Sequence, residues 1–404
     1  MCALGFGRFG YTMILPSMQE SMDLSPAQAG DMAAANMAGY LMLAVVAGFL
    51  GSRFGSRIVI TVSMLAVAVS MLWTGLSGGY WSALFSRFLS GAAGGGVNIP
   101  VIGLLVSWFS SKNRGLASGF GVCGSSIALL FTGAVVPGIL DIYGVSGWRQ
   151  SWFLLAAISV VVTLLCALFL RDRHRRDERK TNSDSRIDGL EENIPKPPVH
   201  KPGLSVILKS INVWKLSFIY IAFGFSYVIY VTFFARTLTA EGGFTTGQAG
   251  TLWSIVGGVS IASGFIWGGI SDRIGRKWGL ALVFLLQCLS FGAMGLWHSP
   301  AGVYVSCFFF AVTAWSIPVI MAASTGDLLG PRMASAGFGV ITLFFGIGQI
   351  SGPFFAGRIT ELTGSYYPAF TVAGAAALVG SVLSAVALPR VMSGGHDGKT
   401  HSQR

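Results

Sequence analysis

Gly268-Gly269-Ile270-Ser271-Asp272-Arg273-Ile274-Gly275-Arg276-Lys277 lies between two apolar runs, and Gly48-Phe49-Leu50-Gly51-Ser52-Arg53-Phe54-Gly55-Ser56-Arg57 repeats its pattern 220 residues earlier. Glycines and basic residues in such a stretch mark a tight surface turn between two closely packed elements. The copying extends further. Gln28-Ala29-Gly30 returns as Gln248-Ala249-Gly250 at the same offset of 220, and Ile99-Pro100-Val101-Ile102 returns as Ile317-Pro318-Val319-Ile320 at 218. Gly119-Phe120-Gly121-Val122 returns as Gly337-Phe338-Gly339-Val340, also at 218. Four ordered matches at nearly one offset make the chain a duplication.

Composition says what was duplicated. The chain has 404 residues, 53% hydrophobic and 11% charged, against ~25% charged in soluble domains. Nine basic and seven acidic side chains fall between Arg171 and Lys201, so the remaining residues are poorer still in charge. No soluble surface can be covered that way. Apolar stretches long enough to span a bilayer run over about 1–18, 29–50, 58–77, 82–109, 115–140 and 148–170. A second set runs over about 213–236, 248–269, 279–297, 301–325, 333–357 and 366–388. They should be helices, because unpaired backbone is too costly in lipid and no alternating pattern is present. The fold class is therefore all-α integral membrane: twelve transmembrane helices in two pseudo-symmetric six-helix bundles. The bundles occupy 1–170 and 213–388, with a cytoplasmic linker at 171–212 and a cytoplasmic tail at 389–404. The linker, with Pro195-Lys196-Pro197-Pro198, reads as mobile with a partly helical start. Six helices per half put both halves in one orientation, with substrate expected between them near the midplane. The offset gives the first helix about two turns fewer than the seventh. Either the reading frame continues upstream of Met1, which is the expectation, or a short helix is accommodated by local thinning.

The net charge of +11 invites a nucleic-acid reading, which is rejected because the cations are not gathered on a soluble module. They sit at the ends of apolar stretches. With the linker cytoplasmic, the cytoplasmic side holds 22 of the 27 Lys and Arg, the exceptions being Arg8, Arg87, Arg149, Arg236 and Arg358. Both termini are then cytoplasmic. Cys2, Cys123, Cys166, Cys288 and Cys307 all fall within apolar stretches without a CxxC pair and read as reduced packing residues. The five histidines lie in loops or the tail, so no metal site or cofactor is expected. No cleavable signal peptide is read at the N-terminus. Clustered carboxylates, histidines or a cysteine nucleophile within the spans, as a membrane enzyme needs, are lacking.

These residues resemble a known family. The stretch Gly268–Lys277 resembles the major facilitator superfamily signature between helices 8 and 9, and Gly48–Arg57 its partner between helices 2 and 3. Arg87 with Gly91 and Gly95 resembles the helix 4 motif, and Gly348-Gln349-Ile350-Ser351-Gly352-Pro353 with Gly357 the glycine-proline motif in helix 11. Gly5-Phe6-Gly7-Arg8-Phe9-Gly10-Tyr11-Thr12, through Pro16, is similar to the bacterial YbfB/YjiJ-type branch. The resemblance implies secondary transport by rocking of the two bundles. It also implies a conformational latch at Gly48, Ser52, Arg53, Gly55 and Arg57 and at Gly268, Asp272, Arg273, Gly275 and Arg276. There Asp272 would meet the positive N-terminal end of helix 5. Ser52 stands where the family usually has aspartate, so the first latch would act without that charge, by capping a helix.

Arg8 and Arg87 fall inside spans, where ionisable residues are costly and commonly functional. Arg8 and Tyr11 share a helix face, with Tyr227 and Tyr230 at the matching positions of helix 7. Asn98, Trp315 and Gln349 complete the expected substrate-binding set. Asp31 is the one carboxylate able to reach into a span, so Asp31 and Arg87 are the candidates for proton linkage. Buried guanidinium without buried carboxylate suits an anion. The expected function is alternating-access transport of a small organic anion with proton coupling, by a monomer. Efflux or antiport by the same fold is the alternative, and a transport-inactive membrane sensor is the alternative of another class.

Overall fold

The structure, a computed structural model, describes residues 1–108, 114–172 and 204–389. The expected helical start and proline run of the linker, Lys112, and the tail beyond Pro389 lie outside the described residues.

The twelve apolar stretches each coincide with a helix, and no strand occurs among the described residues. Helix α1 begins as a π-helix, Cys2–Phe9, and continues as Gly10–Ser21. Then follow α2 (Pro26–Phe54), α3 (Ser56–Leu76), α4 (Tyr80–Trp108), α5 (Arg114–Tyr143) and α6 (Gly147–Phe169). After a five-residue helix, Leu204–Leu208, come α7 (Ile211–Ala240), α8 (Thr246–Ile274) and α9 (Arg276–Leu296). The last three are α10 (Pro300–Gly330), α11 (Ala336–Thr363) and α12 (Tyr367–Ala387). Helix α10 is interrupted at Ala314 and Trp315, just before Pro318, whose ring cannot continue an unbroken helix. It ends at Gly330, where φ is +72°.

The repeat now has physical content. Gln28 is the third residue of α2 and closes a capping box with Ser25: its amide oxygen accepts from Ser25 N–H at 3.0 Å, while Ser25 Oγ accepts from Gln28 N–H at 3.2 Å. Gln248 and Thr245 make the same pair of bonds, at 2.9 and 3.2 Å, at the start of α8. Ala29 and Ala249 are both fully buried. Gly55 and Gly275 each adopt φ of +90° between their helices, a conformation that glycine alone adopts freely.

Contacts group the described residues into two compact units that do not follow the sequence halves. The first takes in the described residues of 1–201, with Val228–Ile261 and Gln349–Ala369; the second takes in the described residues of 202–227 and 370–404, with Ala262–Gly348. Within the first unit, helices approach to backbone contact through glycine, the arrangement membrane helices use in place of hydrophobic collapse. A methyl group on Gly91 of α4 would fall 1.8 Å from the Asn36 carbonyl oxygen of α2. Two further crossings join helices of opposite sequence halves. A methyl on Gly30 of α2 would meet the Pro353 carbonyl oxygen of α11 at 2.2 Å, and one on Gly250 of α8 would meet the Gly133 carbonyl oxygen of α5 at 2.4 Å. Gly30 and Gly250 are repeat mates, so both crossings use the same duplicated residue. Both lie at the end of the helices opposite the Arg53 and Arg273 turns. In the second unit, Tyr220, Phe223, Tyr227 and Phe345 form an aromatic stack, with Tyr220 and Phe345 centroids 4.4 Å apart.

Candidate substrate site and latches

The first unit brings four of the eight expected binding residues, Arg8, Tyr11, Arg87 and Asn98, together around the π-helical opening of α1. A π turn is wider than an α turn and is frequent at functional sites. Here it carries Gly7 and Arg8. Arg87 is 1% exposed. Its Nη1 donates to the Gly7 carbonyl at 2.6 Å, and its guanidinium lies over the rings of Tyr11 (4.8 Å) and Trp152 (5.2 Å). Tyr11 is itself fixed, donating its hydroxyl to the Ala29 carbonyl at 3.0 Å. Asn36 ties the group together, donating to the Arg87 carbonyl at 3.0 Å and toward that of Gly7 at 3.5 Å. Arg87 Nε, Ser90 Oγ and Trp152 Nε1 are buried without a hydrogen-bond partner among the described residues. That capacity is costly to leave unused in a dry site.

Arg8 forms a second group, its guanidinium 4.8 Å from the Tyr40 ring centroid. The Tyr40 hydroxyl accepts from Asn98 Nδ2 at 2.9 Å, so Arg8, Tyr40 and Asn98 are linked. Of the other expected residues, Tyr230 lies in the first unit beside Phe234, which stacks on Trp253. Gln349 is buried there as well. Tyr227 belongs to the aromatic stack of the second unit. Trp315 lies at the break in α10, its backbone N–H donating to Ser263 Oγ at 3.2 Å.

Asp31 joins the two sequence halves. Its carboxylate accepts from Arg358 of α11 at 2.7 and 3.4 Å and from the Tyr80 hydroxyl at 3.2 Å. The pair sits beside the Gly30–Pro353 crossing, so a charge contact and a backbone contact close the same helix junction. Nearby, Thr12 of α1 donates its hydroxyl to the Val231 carbonyl of α7.

At the opposite end, the duplicated turns differ in detail. Arg276 pairs with Asp272 at 2.5 Å and with Asp327 at 2.9 Å, and also donates to Ser271 Oγ. In the first turn, Ser52 Oγ donates to its own helix at Phe49, 2.8 Å away. A carboxylate is supplied instead by Asp172, which accepts from Arg57 N–H at 2.9 Å, while Arg57 Nη2 donates to the Ala167 carbonyl. Gly48 and Gly268 pack beside Ile99 and Val319, at 3.6 and 3.4 Å from where a methyl group would stand.

Sequence reasoning missed Tyr40, Asn36, Trp152, Arg358 and Asp172. Asn36 and Tyr40 carried a signal, being polar residues four apart in a run of Ala, Met and Leu. For Trp152 nothing in the sequence pointed to Arg87.

Comparison with known proteins agrees with the twelve-helix fold. The family described as "Uncharacterised MFS-type transporter YbfB" matches residues 1–385. A probable sulfoacetate transporter, SauU, of Cupriavidus necator is 26% identical over 95% of this chain and 91% of its own. A hexuronate transporter of Bacillus subtilis is 24% identical over 93% and 89%, and a putative tartrate transporter of Agrobacterium vitis 24% over 87% and 82%. Among solved structures, a bacterial homologue of the human lysosomal transporter Spinster, inward-facing and unoccupied, superposes with a TM-score of 0.71 at 17% identity. That match covers 96% of this chain and 93% of the homologue.

Proposed function

The chain belongs to the YbfB-type family of major facilitator superfamily transporters, and from that membership we propose that it carries a small carboxylate-bearing organic anion, coupled to protons, by alternating access. It is a multi-pass membrane transporter of a small molecule and not an enzyme. The observation that carries the anion reading is Arg87. It is a fully buried guanidinium held by one carbonyl and two aromatic faces, with no carboxylate paired to it among the described residues. A buried cation without a counter-charge is unfavourable, and a substrate carboxylate supplies that charge with geometry suited to guanidinium. Arg8, Tyr11, Asn98 and Tyr230 extend the site, with Gln349 as a further proposed contributor. The relatives named for sulfoacetate, hexuronate and tartrate support the substrate class.

The proposed cycle uses the two ends of the helices. The Asp31–Arg358 pair and the Gly30 and Gly250 crossings close the outer end, and Asp272, Arg276 and Arg57 belong to the inner latch. Loss of the Asp31–Arg358 pair favours outer opening, and Asp31 is the proposed site of proton coupling. The basic turns support assigning that inner end, and both termini, to the cytoplasmic face of a bacterial inner membrane, and the monomer is the proposed working unit.

The test is a thermal-stability screen of the purified protein with dicarboxylates, hydroxy acids and sulfonates against organic cations and neutral sugars. Binding at a hundredfold excess over Kd stabilises by about 2.7 kcal/mol. Stabilisation by an anion that disappears in Arg87→Gln supports the reading. Stabilisation only by cations or sugars, unchanged in that variant, overturns it.

Two expected outcomes follow for neighbouring residues. Tyr40→Leu removes the ring beneath Arg8 and should weaken anion binding by roughly 2- to 30-fold, the range of a cation–π contact. Titration calorimetry checks it. Asp31→Asn should abolish the response of uptake to an imposed pH gradient while exchange of labelled for unlabelled anion continues, measured in proteoliposomes.

A further inference from the structure

We infer that the groove between α7 and α12 is a binding site for one anionic phospholipid of the leaflet that faces the basic turns. The groove has a volume of about 580 Å³ and an almost wholly apolar lining that includes Ile211, Trp214, Phe218, Phe225, Val379 and Leu383. Lys215 is the one charged residue in that lining. From Ile211 to Phe225 is fourteen residues of helix, about 21 Å at 1.5 Å per residue. That is about half of the ~40–45 Å thickness of a bilayer with its headgroup regions. The groove is therefore one leaflet long and starts at the interface. An occupant with an apolar length of one leaflet is a lipid acyl chain.

Three features fix the headgroup end. Trp214 is held there by donating Nε1–H to the Leu208 carbonyl at 2.8 Å and by an edge contact with Phe344; tryptophan belongs at the headgroup level. Lys215 lies beside it, and Lys209 is exposed just before the helix begins. No aspartate or glutamate occurs from Leu204 to Ala240 or from Tyr366 to Pro389. The mouth of the groove thus presents positive charge without an acidic neighbour on either lining helix. A lipid phosphate with a net negative headgroup complements it; a zwitterionic headgroup brings its own cation against the lysines.

The experiment uses the full chain in detergent, incubated with equimolar phosphatidylglycerol and phosphatidylcholine of identical acyl chains, with bound lipid counted by native mass spectrometry. Phosphatidylglycerol should be retained in preference by roughly five-fold for each lysine engaged. Lys209→Gln with Lys215→Gln should bring the ratio close to one, and Ala376→Phe, which fills the groove from its lipid side, should lose both lipids. Equal retention by the wild-type protein overturns the inference, as does a preference that survives both the lysine variant and Ala376→Phe. A photoactivatable phosphatidylglycerol on the unaltered chain gives an independent reading. Crosslinks at Phe218 or Val379 support the site, and crosslinks confined to other helices overturn it.

Discussion

Arg87→Met is expected to leave the protein folded and to abolish anion transport. Two roles are open to a buried arginine that touches a backbone carbonyl, and this variant separates them. As a structural strut, Arg87 would satisfy the Gly7 carbonyl, and its loss would cost about 1–3 kcal/mol for the orphaned acceptor. That acceptor has a second donor within reach, Asn36 Nδ2 at 3.5 Å. Against the loss stands the relief of a buried, uncompensated charge, and exchange of buried ions for apolar side chains of similar size is often neutral or stabilising by about 1–4 kcal/mol. The balance is a melting temperature near that of the wild type. Transport is different, because a charge-assisted hydrogen bond to substrate contributes roughly 1.5–3 kcal/mol, about 10- to 200-fold in affinity. Arg87→Lys keeps charge without the planar fork and should fall between the two. Melting curves and initial uptake rates decide it. An Arg87→Met protein that transports, or one that fails to fold, contradicts the assignment.

Gly30→Ala is expected to stop the cycle without unfolding the protein, whereas Gly91→Ala is expected to destabilise it. Both add one methyl group against a carbonyl oxygen, at 2.2 and 1.8 Å. Overpacking of this kind costs about 1–3 kcal/mol or more. The difference is where the oxygen belongs. Asn36 lies in the same half as Gly91, so that clash is present in every state. Pro353 lies in the other half from Gly30, so parting α2 from α11 relieves the clash. The equilibrium should move toward the state in which the Asp31–Arg358 junction is open. Ser254 of α8 lies at the Gly133–Gly250 crossing, where its hydroxyl donates to the Leu130 carbonyl of α5 at 3.0 Å; labelling of a single cysteine placed there in a cysteine-free background, probed from outside with an impermeant maleimide, should accelerate in Gly30→Ala. The melting temperature of that variant should remain close to the parent value. Wild-type transport in Gly30→Ala, or collapse of both variants alike, would contradict the gating role of this crossing.

The duplication was legible because its repeated residues do the same local work twice. Gln28 and Gln248 close capping boxes, Gly55 and Gly275 take a left-handed turn, and Gly30 and Gly250 admit a neighbouring backbone. Each is a short-range requirement that leaves its mark on residue type. Arg8, half-buried, and Arg87, fully buried, were legible for a related reason, since charge within an apolar span is rare enough to stand out. Their partners were not. Tyr40 and Trp152 meet the arginines through the rotation of one helix against another, which residue spacing along a single helix does not encode. Arg358 lies 327 positions from Asp31, and Asp31 was read alone. The missing carboxylate at Ser52 was recognised from the residue present, but its replacement by Asp172 comes from the far end of α6. The break at Trp315 and the turn at Gly330 follow from Pro318 and a positive φ, yet the apolar pattern runs through the first without a mark.

The most direct measurement of the central claim is gradient-driven uptake by the purified full chain in proteoliposomes. Labelled dicarboxylates, hydroxy acids and sulfonates would be offered outside, with the lumen made alkaline. One of these anions should accumulate above its external concentration, leak back when a protonophore collapses the gradient, and be ignored by Arg87→Met. Uptake of organic cations without anion flux, or anion movement that Arg87→Met carries as well as the parent, would contradict it.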